Sequence, residues 1–211
     1  MRKFLLLAAV TIACSSMAVA QSADYNKVEL FGGYSYARVD NGIIDSRPGL
    51  AGLVKERDGF NGFNASVTGN LSRYFGLTFD VSGHFKNGTQ TFRGANFDVD
   101  SNLFSFLGGV QVKDNSTETT LKPFAHALVG AARARNKADF SDSFCAAIFP
   151  SPCPQSFNET DTGLAGAFGG GLDIRAGKRF DIRAVQVDYT PTRVFNATQN
   201  NFRVGVGIVI H

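Results

Sequence analysis

Residues 168–189, FGGGLDIRAGKRFDIRAVQVDY, restrict the fold of this chain more than any other stretch. In the first half Phe168, Leu172 and Ile174 share one side, and Asp173 and Arg175 share the other. In the second half Val185, Val187 and Tyr189 alternate with Gln186 and Asp188. Successive side chains of a strand point to opposite faces, so a period of two predicts strands. Each half is about ten residues long, the length a tilted strand needs to cross a bilayer. Residues 176–179, Ala-Gly-Lys-Arg, supply a tight turn between them. The expectation is this hairpin repeated until it closes on itself.

The first twenty residues stand apart from that pattern. Arg2 and Lys3 precede an apolar run, and Ala18-Val19-Ala20 has the small-x-small form of a signal-peptidase site. Residues 1–20 are therefore expected to be a cleaved signal peptide, with cleavage between Ala20 and Gln21. Residues 21–211 then form one domain. Without Arg2 and Lys3 the 21 basic residues fall to 19 against 18 acidic ones, and no basic patch marks a nucleic-acid partner. The exported part keeps Cys145 and Cys153, spaced closely enough to suggest a disulfide in an oxidising compartment. Glycine is abundant at 23 residues, and Leu/Glu/Lys-rich helical runs are missing after Ala20. The composition predicts an all-β chain with tight turns.

Further strands follow the same alternation. Val28, Leu30, Tyr34 and Tyr36 share a face in the first, and Phe63, Ala65 and Val67 in the second. Leu77, Phe79, Val81 and Phe85 oppose Asp80, Ser82, His84 and Lys86 in the third. The fourth carries Phe104, Phe106, Val110 and Val112, with Leu103 and Leu107 opposite. The fifth, residues 122–132, has no distinguishable faces. The last sets Phe202, Val204, Val206, Ile208 and Ile210 against Arg203, Gly205, Gly207 and Val209. Eight strands result. Residues 40–59, 87–100, 133–163 and 191–200 are expected as long loops, and 70–72, 114–120 and 176–179 as short turns.

A soluble lipid-binding barrel shows the same period with its apolar face inside. Three features favour the inverse arrangement. Aromatics gather near strand ends, as at Tyr34, Tyr36, Phe85, Phe104 and Tyr189, which suits interfacial girdles. The polar face mixes signs in Glu29, Asp80, His84, Lys86, Asp173, Arg175, Asp188 and Arg203, which in a narrow interior must pair. The chain also closes on an alternating apolar strand, although its last residue is His211 and not an aromatic. On this reading Arg183 falls on the apolar face near the turn, where it would snorkel to the interface.

The segments YFGLTFDVSGHF (74–85), PFAHALVGAARA (123–134), FGGGLDIRAGKRFDIRAVQVDYTPTR (168–193) and NNFRVGVGIVI (200–210) resemble outer-membrane β-barrel proteins. The likeness is to small single-domain barrels related to the N-terminal barrel of outer membrane protein A. It implies an eight-stranded antiparallel up-and-down transmembrane β-barrel in a Gram-negative outer membrane, with both termini in the periplasm. Implied partners are outer-membrane lipids, the barrel-assembly machinery during biogenesis, and an extracellular ligand met through the loops. The family carries no single activity.

No catalytic, metal or cofactor constellation stands out. His84 and Asp80 share a face with Ser82, but three groups on one strand cannot converge on a carbonyl, and no third metal ligand is placed by spacing. Gly169-Gly170-Gly171 lacks the helix and Lys-Ser/Thr pair of a phosphate loop and reads as a place where strands pack closely. The leading expectation is a structural and interaction protein displaying four loops. A narrow or gated pore for small solutes is the alternative, ahead of a soluble periplasmic lipid-binding barrel or an outer-membrane lipase.

Overall fold

The computed structural model describes residues 25–40, 57–92, 95–140 and 156–211. Cys145, Cys153, Ala20 and Gln21 lie outside these residues. Eight antiparallel strands run in chain order: β1 Val28–Asp40, β2 Arg57–Asn70, β3 Phe75–Phe92, β4 Ala95–Lys113, β5 Leu121–Phe140, β6 Ser156–Arg175, β7 Phe180–Val194 and β8 Ala197–Ile210. Each pairs with its sequence neighbours, and β1 pairs with β8 from Leu30↔Ile210 to Arg38↔Phe202 to close the barrel. Closure leaves no sheet edge in the spanning region, so backbone donors and acceptors there are met within the wall.

The two faces of the wall are inverted relative to a soluble barrel. On β3 the outward Leu77 and Phe79 are exposed while the inward Thr78, Asp80, Ser82 and His84 are buried. On β8 all of Phe202, Val204, Val206, Ile208 and Ile210 face out, whereas Arg203 and Val209 are buried in the lumen. A lipid-carrying soluble barrel needs the opposite polarity, and that reading is excluded. One aromatic girdle comprises Tyr34, Phe63, Phe85, Phe104, Tyr189 and Phe202, with ring pairs Phe85–Phe104 at 5.4 Å and Tyr189–Phe202 at 5.5 Å. Tyr74, Phe75 and Phe180 form the other, beside the short turns. Ten residues separate Phe75 from Phe85 on β3. At ~3.3 Å per residue and a tilt of ~40°, that is a band about 25 Å tall, the height of an outer-membrane apolar belt.

The short turns at 71–74, 114–120 and 176–179 fall where the sequence predicts them. The long loops are shorter than expected. Residues 87–92 and 95–100 extend the β3–β4 hairpin, and 133–140 and 156–163 extend β5–β6. These extensions rise past the girdle, where outward positions also become polar and the contrast between faces that marks a strand weakens. The predicted loop at 191–200 is instead a two-residue turn, Phe195-Asn196, with φ of 54° and 59°. Positive φ at both central residues is the primed hairpin turn that matches strand twist, here made without glycine. The described register between β6 and β7 is interrupted between Ala165↔Thr192 and Phe168↔Tyr189, a step that holds Pro191, which has no N–H to donate.

Arg183 does not lie on the apolar face. Ala184 and Val185 both point outward, and the register slips at Leu172/Asp173 on one side and Arg183/Gln186 on the other. The extra residue of this β-bulge resets the phase of β7. Asp181 and Arg183 therefore point inward together with Gln186 and Asp188. The ambiguous β5 also resolves: Lys122, Phe124, His126 and Leu128 face the lumen, and Val129 faces out.

Candidate functional site

The lumen is the most densely organised polar region of the chain. Its tier nearer the short turns is built around Lys113, the last residue of β4. Lys113 donates to both carboxylate oxygens of Glu29 on β1 at 3.0 Å and to Asp173 on β6 at 2.8 Å. Asp173 in turn receives a bidentate pair from Arg183, Nε at 2.8 Å and Nη2 at 3.1 Å. Arg183 also donates to Gln186, and its guanidinium lies 4.1 Å from the ring centroids of both Phe31 and Phe124. Planar stacking of this kind suits arginine and not lysine.

Glycines make the space for that stack. Arg183 pairs across the wall with Gly207, where an added Cβ would lie 2.4 Å from the Gly32 carbonyl oxygen and 2.8 Å from the Phe31 ring. The Phe124 ring covers Gly171 in the same way, at 2.9 Å from the position a Cβ would take. At the mouth Lys122 donates to Asp181 at 2.9 Å.

The second tier is centred on Arg203 of β8. Its Nε and Nη2 reach Asp188 at 2.9 and 2.6 Å, and its Nη1 reaches Asp80 at 3.0 Å. Asp188 is bonded by Gln186 and His126, and Asp80 by Asn64. His84 is hydrogen-bonded to Ser35 of β1 at 2.8 Å. In these tiers the cations Lys113, Lys122, Arg183 and Arg203 face the carboxylates Glu29, Asp80, Asp173, Asp181 and Asp188. Such charges persist out of water only when paired and hydrogen-bonded.

Glu29, Asp80, His84, Asp173, Asp188 and Arg203 are all buried in this lumen. Lys86 and Arg175 are not part of its tiers. Lys86 sits at the hairpin end, half-buried against Asp58 at 2.5 Å. Arg175 ends β6 and donates to the carbonyl of Gly177 in its own turn. Sequence reasoning did not single out Lys113, Lys122, His126, Asp181 or Gln186. For Lys113, Asp181 and Gln186 a usable signal existed, since each is polar in or at the end of a strand whose neighbours alternate; on β5 no contrast marked Lys122 or His126. Outside the span, Arg73 grips Asp114 with two bonds of 2.9 and 3.1 Å. Chiefly that hydrogen bond holds the Asp114 carboxyl down at about 2.

Beyond the tiers the lumen turns largely apolar, apart from the buried, hydrogen-bonded Thr192, Gln199 and Asn201. Ala37, Val39, Phe60, Leu103, Leu107, Leu128, Ala132, Ala134, Ala165, Ala167 and Val194 form one buried cluster toward the hairpin end. Between cluster and tiers lies a cavity of about 10 Å³, bounded by His84, Leu103, Leu107 and Arg203 among others. That is room for about one water.

An inside-out closed barrel of eight strands with girdles about 25 Å apart defines a transmembrane outer-membrane β-barrel. The chain belongs to the outer membrane protein β-barrel domain family, whose model matches residues 5–209. No curated protein matches it. Among solved structures it is similar to Ail, the attachment invasion locus protein of Yersinia pestis, at 17% identity, with 87% of this chain and 97% of that one covered and a TM-score of 0.56. Ail in complex with the heparin analogue sucrose octasulfate is equally similar, at 17% identity, 87% and 97% coverage and a TM-score of 0.55. Neisserial surface protein A follows at 9% identity, 89% and 99% coverage and a TM-score of 0.51. At these identities the likeness is one of fold.

Proposed function

We propose that this protein is a plugged outer-membrane barrel, a structural and interaction protein that anchors surface hairpins and does not conduct. The observation that carries the reading is the two-tier ion-pair lumen capped by an apolar cluster. Each tier ties opposite walls together, from β1 to β6 and from β8 to β3. Ions crossing it would have to displace charge pairs and then pass a constriction packed largely by apolar side chains. The short turns and both termini lie on the periplasmic side, and the extended β3–β4 and β5–β6 hairpins face outward, in the pattern of this class. The signal peptide is removed between Ala20 and Gln21, and assembly machinery inserts the mature barrel. Its partners are the surrounding lipids and an extracellular ligand met by the hairpins. The complex of Ail with a heparin analogue offers one precedent for such a ligand. His84 and His126 are both enclosed in the lumen.

Planar-bilayer recording on refolded protein tests the reading. A silent bilayer is expected, and reproducible single-channel steps would favour the pore. Thiol alkylation before and after reduction tests the Cys145–Cys153 pairing, with modification expected only after reduction.

A further inference from the structure

Outside the lumen, the outward strand arginines whose side chains are described gather at one level, while Arg73 and Arg179 belong to the short turns at the other end. Arg38 of β1, Arg133 and Arg135 of β5 and Arg193 of β7 are all exposed, and all lie at or on the hairpin side of the Tyr34–Phe104–Tyr189 girdle. Arg133 pairs in register with Phe104 of that girdle, and Arg193 lies four residues beyond Tyr189. In a membrane-spanning barrel, an outward side chain just past the girdle meets lipid headgroups.

Three of these arginines frame a strip on β6. Arg133 is in register with Thr162, and Arg193 with Leu164, so the two flank the strip from opposite sides. Two strand spacings of ~4.8 Å and an offset of two residues put their backbones about 12 Å apart. The floor between them is Thr160, Thr162 and Leu164, and Leu164 is 72% exposed, the highest among the described large apolar side chains. Arg133 and Arg193 have no acceptor among the described residues, and Arg135 donates only its Nε, to Asn158 at 3.2 Å. The nearby carboxylates are engaged elsewhere or set apart. Asp161 accepts the Phe195 amide, Asp139 is bonded to Lys137, and Asp100 faces Lys137 across the β4–β5 pair. Glu159 is exposed on β6 opposite Asn136.

We propose that Arg133, Arg135 and Arg193 cradle the phosphates of a bisphosphorylated acyl-disaccharide of the outer leaflet, with its acyl chains lying over Leu164 and Phe168. Guanidinium forks match phosphate oxygens bidentately. A ligand with a phosphate at each end of a sugar pair engages both sides of the strip, which a single glycerophospholipid headgroup does not. Thr160 and Thr162 supply hydroxyls between them. This assignment rests on the reading that the hairpin side is the outer leaflet. The test below does not depend on orientation, so failure of one leaves the other standing.

The full-length mature barrel is refolded in zwitterionic detergent micelles and titrated separately with bisphosphorylated lipid A, its monophosphorylated form and phosphatidylglycerol, with bound lipid counted by native mass spectrometry. Bisphosphorylated lipid A is expected to bind at least about tenfold more tightly than phosphatidylglycerol, with the monophosphorylated form between them. The double variant R133Q/R193Q should lose that preference while keeping heat-modifiable gel migration, and R38Q, outside the cradle, should retain it. Equal affinity for bisphosphorylated lipid A and phosphatidylglycerol would overturn the assignment. An undiminished preference in R133Q/R193Q would do the same. Should the double variant fail to fold, R133Q and R193Q singly carry the same comparison.

Discussion

Replacing Arg203 by methionine is the sharpest probe of the lumen. Arg203 is 2% exposed and donates three hydrogen bonds, two to Asp188 and one to Asp80. It is thereby the direct link from β8 to β3 across the barrel. Methionine occupies much of the volume but leaves two carboxylates without their cation. Removing one partner of a buried ion pair costs about 3–5 kcal/mol, because the remaining charge is uncompensated. With two carboxylates stranded, the upper part of that range applies. The expected loss is therefore a factor of roughly 10³ or somewhat more in the folded-to-unfolded ratio, at ~1.4 kcal/mol per decade.

The chain has no tryptophan, so unfolding is followed by gel migration of barrel refolded into vesicles and equilibrated across a urea series. R203M should move the midpoint well below that of wild type. The triple variant D80N/D188N/R203M removes all three charges together and should recover most of the loss, since a buried ion pair exchanged for neutral groups is often close to neutral in stability. A midpoint for R203M within about 1 kcal/mol of wild type would refute the view that this tier braces the lumen. A triple variant no better than R203M would show that the cost arises from packing and not from charge.

Other expectations follow from the same geometry. G207V should destabilise the barrel by several kcal/mol, because a Cβ there meets the Gly32 carbonyl oxygen at 2.4 Å and the ring stacked on Arg183; urea midpoints report it. Asn196 has a φ of 59°, so N196G should stabilise by about 0.5–1 kcal/mol and N196V should destabilise by about 1–2 kcal/mol. Asp114 has its carboxyl lowered from 3.8 to about 2 by Arg73. A depressed folded-state value means the stabilisation is present above the unfolded value and disappears as pH falls through the folded one. Wild type should accordingly lose a small increment of stability between about pH 4 and pH 2 that R73Q lacks at every pH, read as a difference between their urea midpoints.

The sequence made the wall legible wherever one face was strongly apolar. Val185, Val187 and Tyr189 of β7 and the whole of β8 reveal their outward face by alternation alone, because lipid tolerates little else there. It was least legible where polarity carried no contrast. On β5 the outward positions include Ala125, Ala127 and Ala131, and alanine is acceptable on either face, so His126 could not be placed beside Asp188. The extended hairpins escaped for a related reason: past the girdle the outward face meets water and no longer needs to be apolar, and Asn87 or Thr89 gives no sign of which way it points. The bulge was hidden because it needs only one extra small residue. Ala184 beside Val185 looks like ordinary strand sequence, and only pairing with both neighbours shows the slip.

That slip decides where a charge lies. Among the described residues, the positions facing out between the two girdles carry no Asp, Glu, Lys or Arg. An unbroken alternation through β7 would break this rule by pointing Arg183 outward along with Val185, at a cost that rises toward ~2–4 kcal/mol at the membrane midplane. The bulge instead turns Arg183 into the lumen, where Asp173, Gln186 and two aromatic rings receive it. One phase reset thus removes a charge from lipid and supplies the cation that completes the Glu29–Lys113–Asp173 tier. The described strand arginines left facing outward, Arg38, Arg133, Arg135 and Arg193, stand at or beyond the girdle, where the penalty falls to ~0–1 kcal/mol and a phosphate can be met.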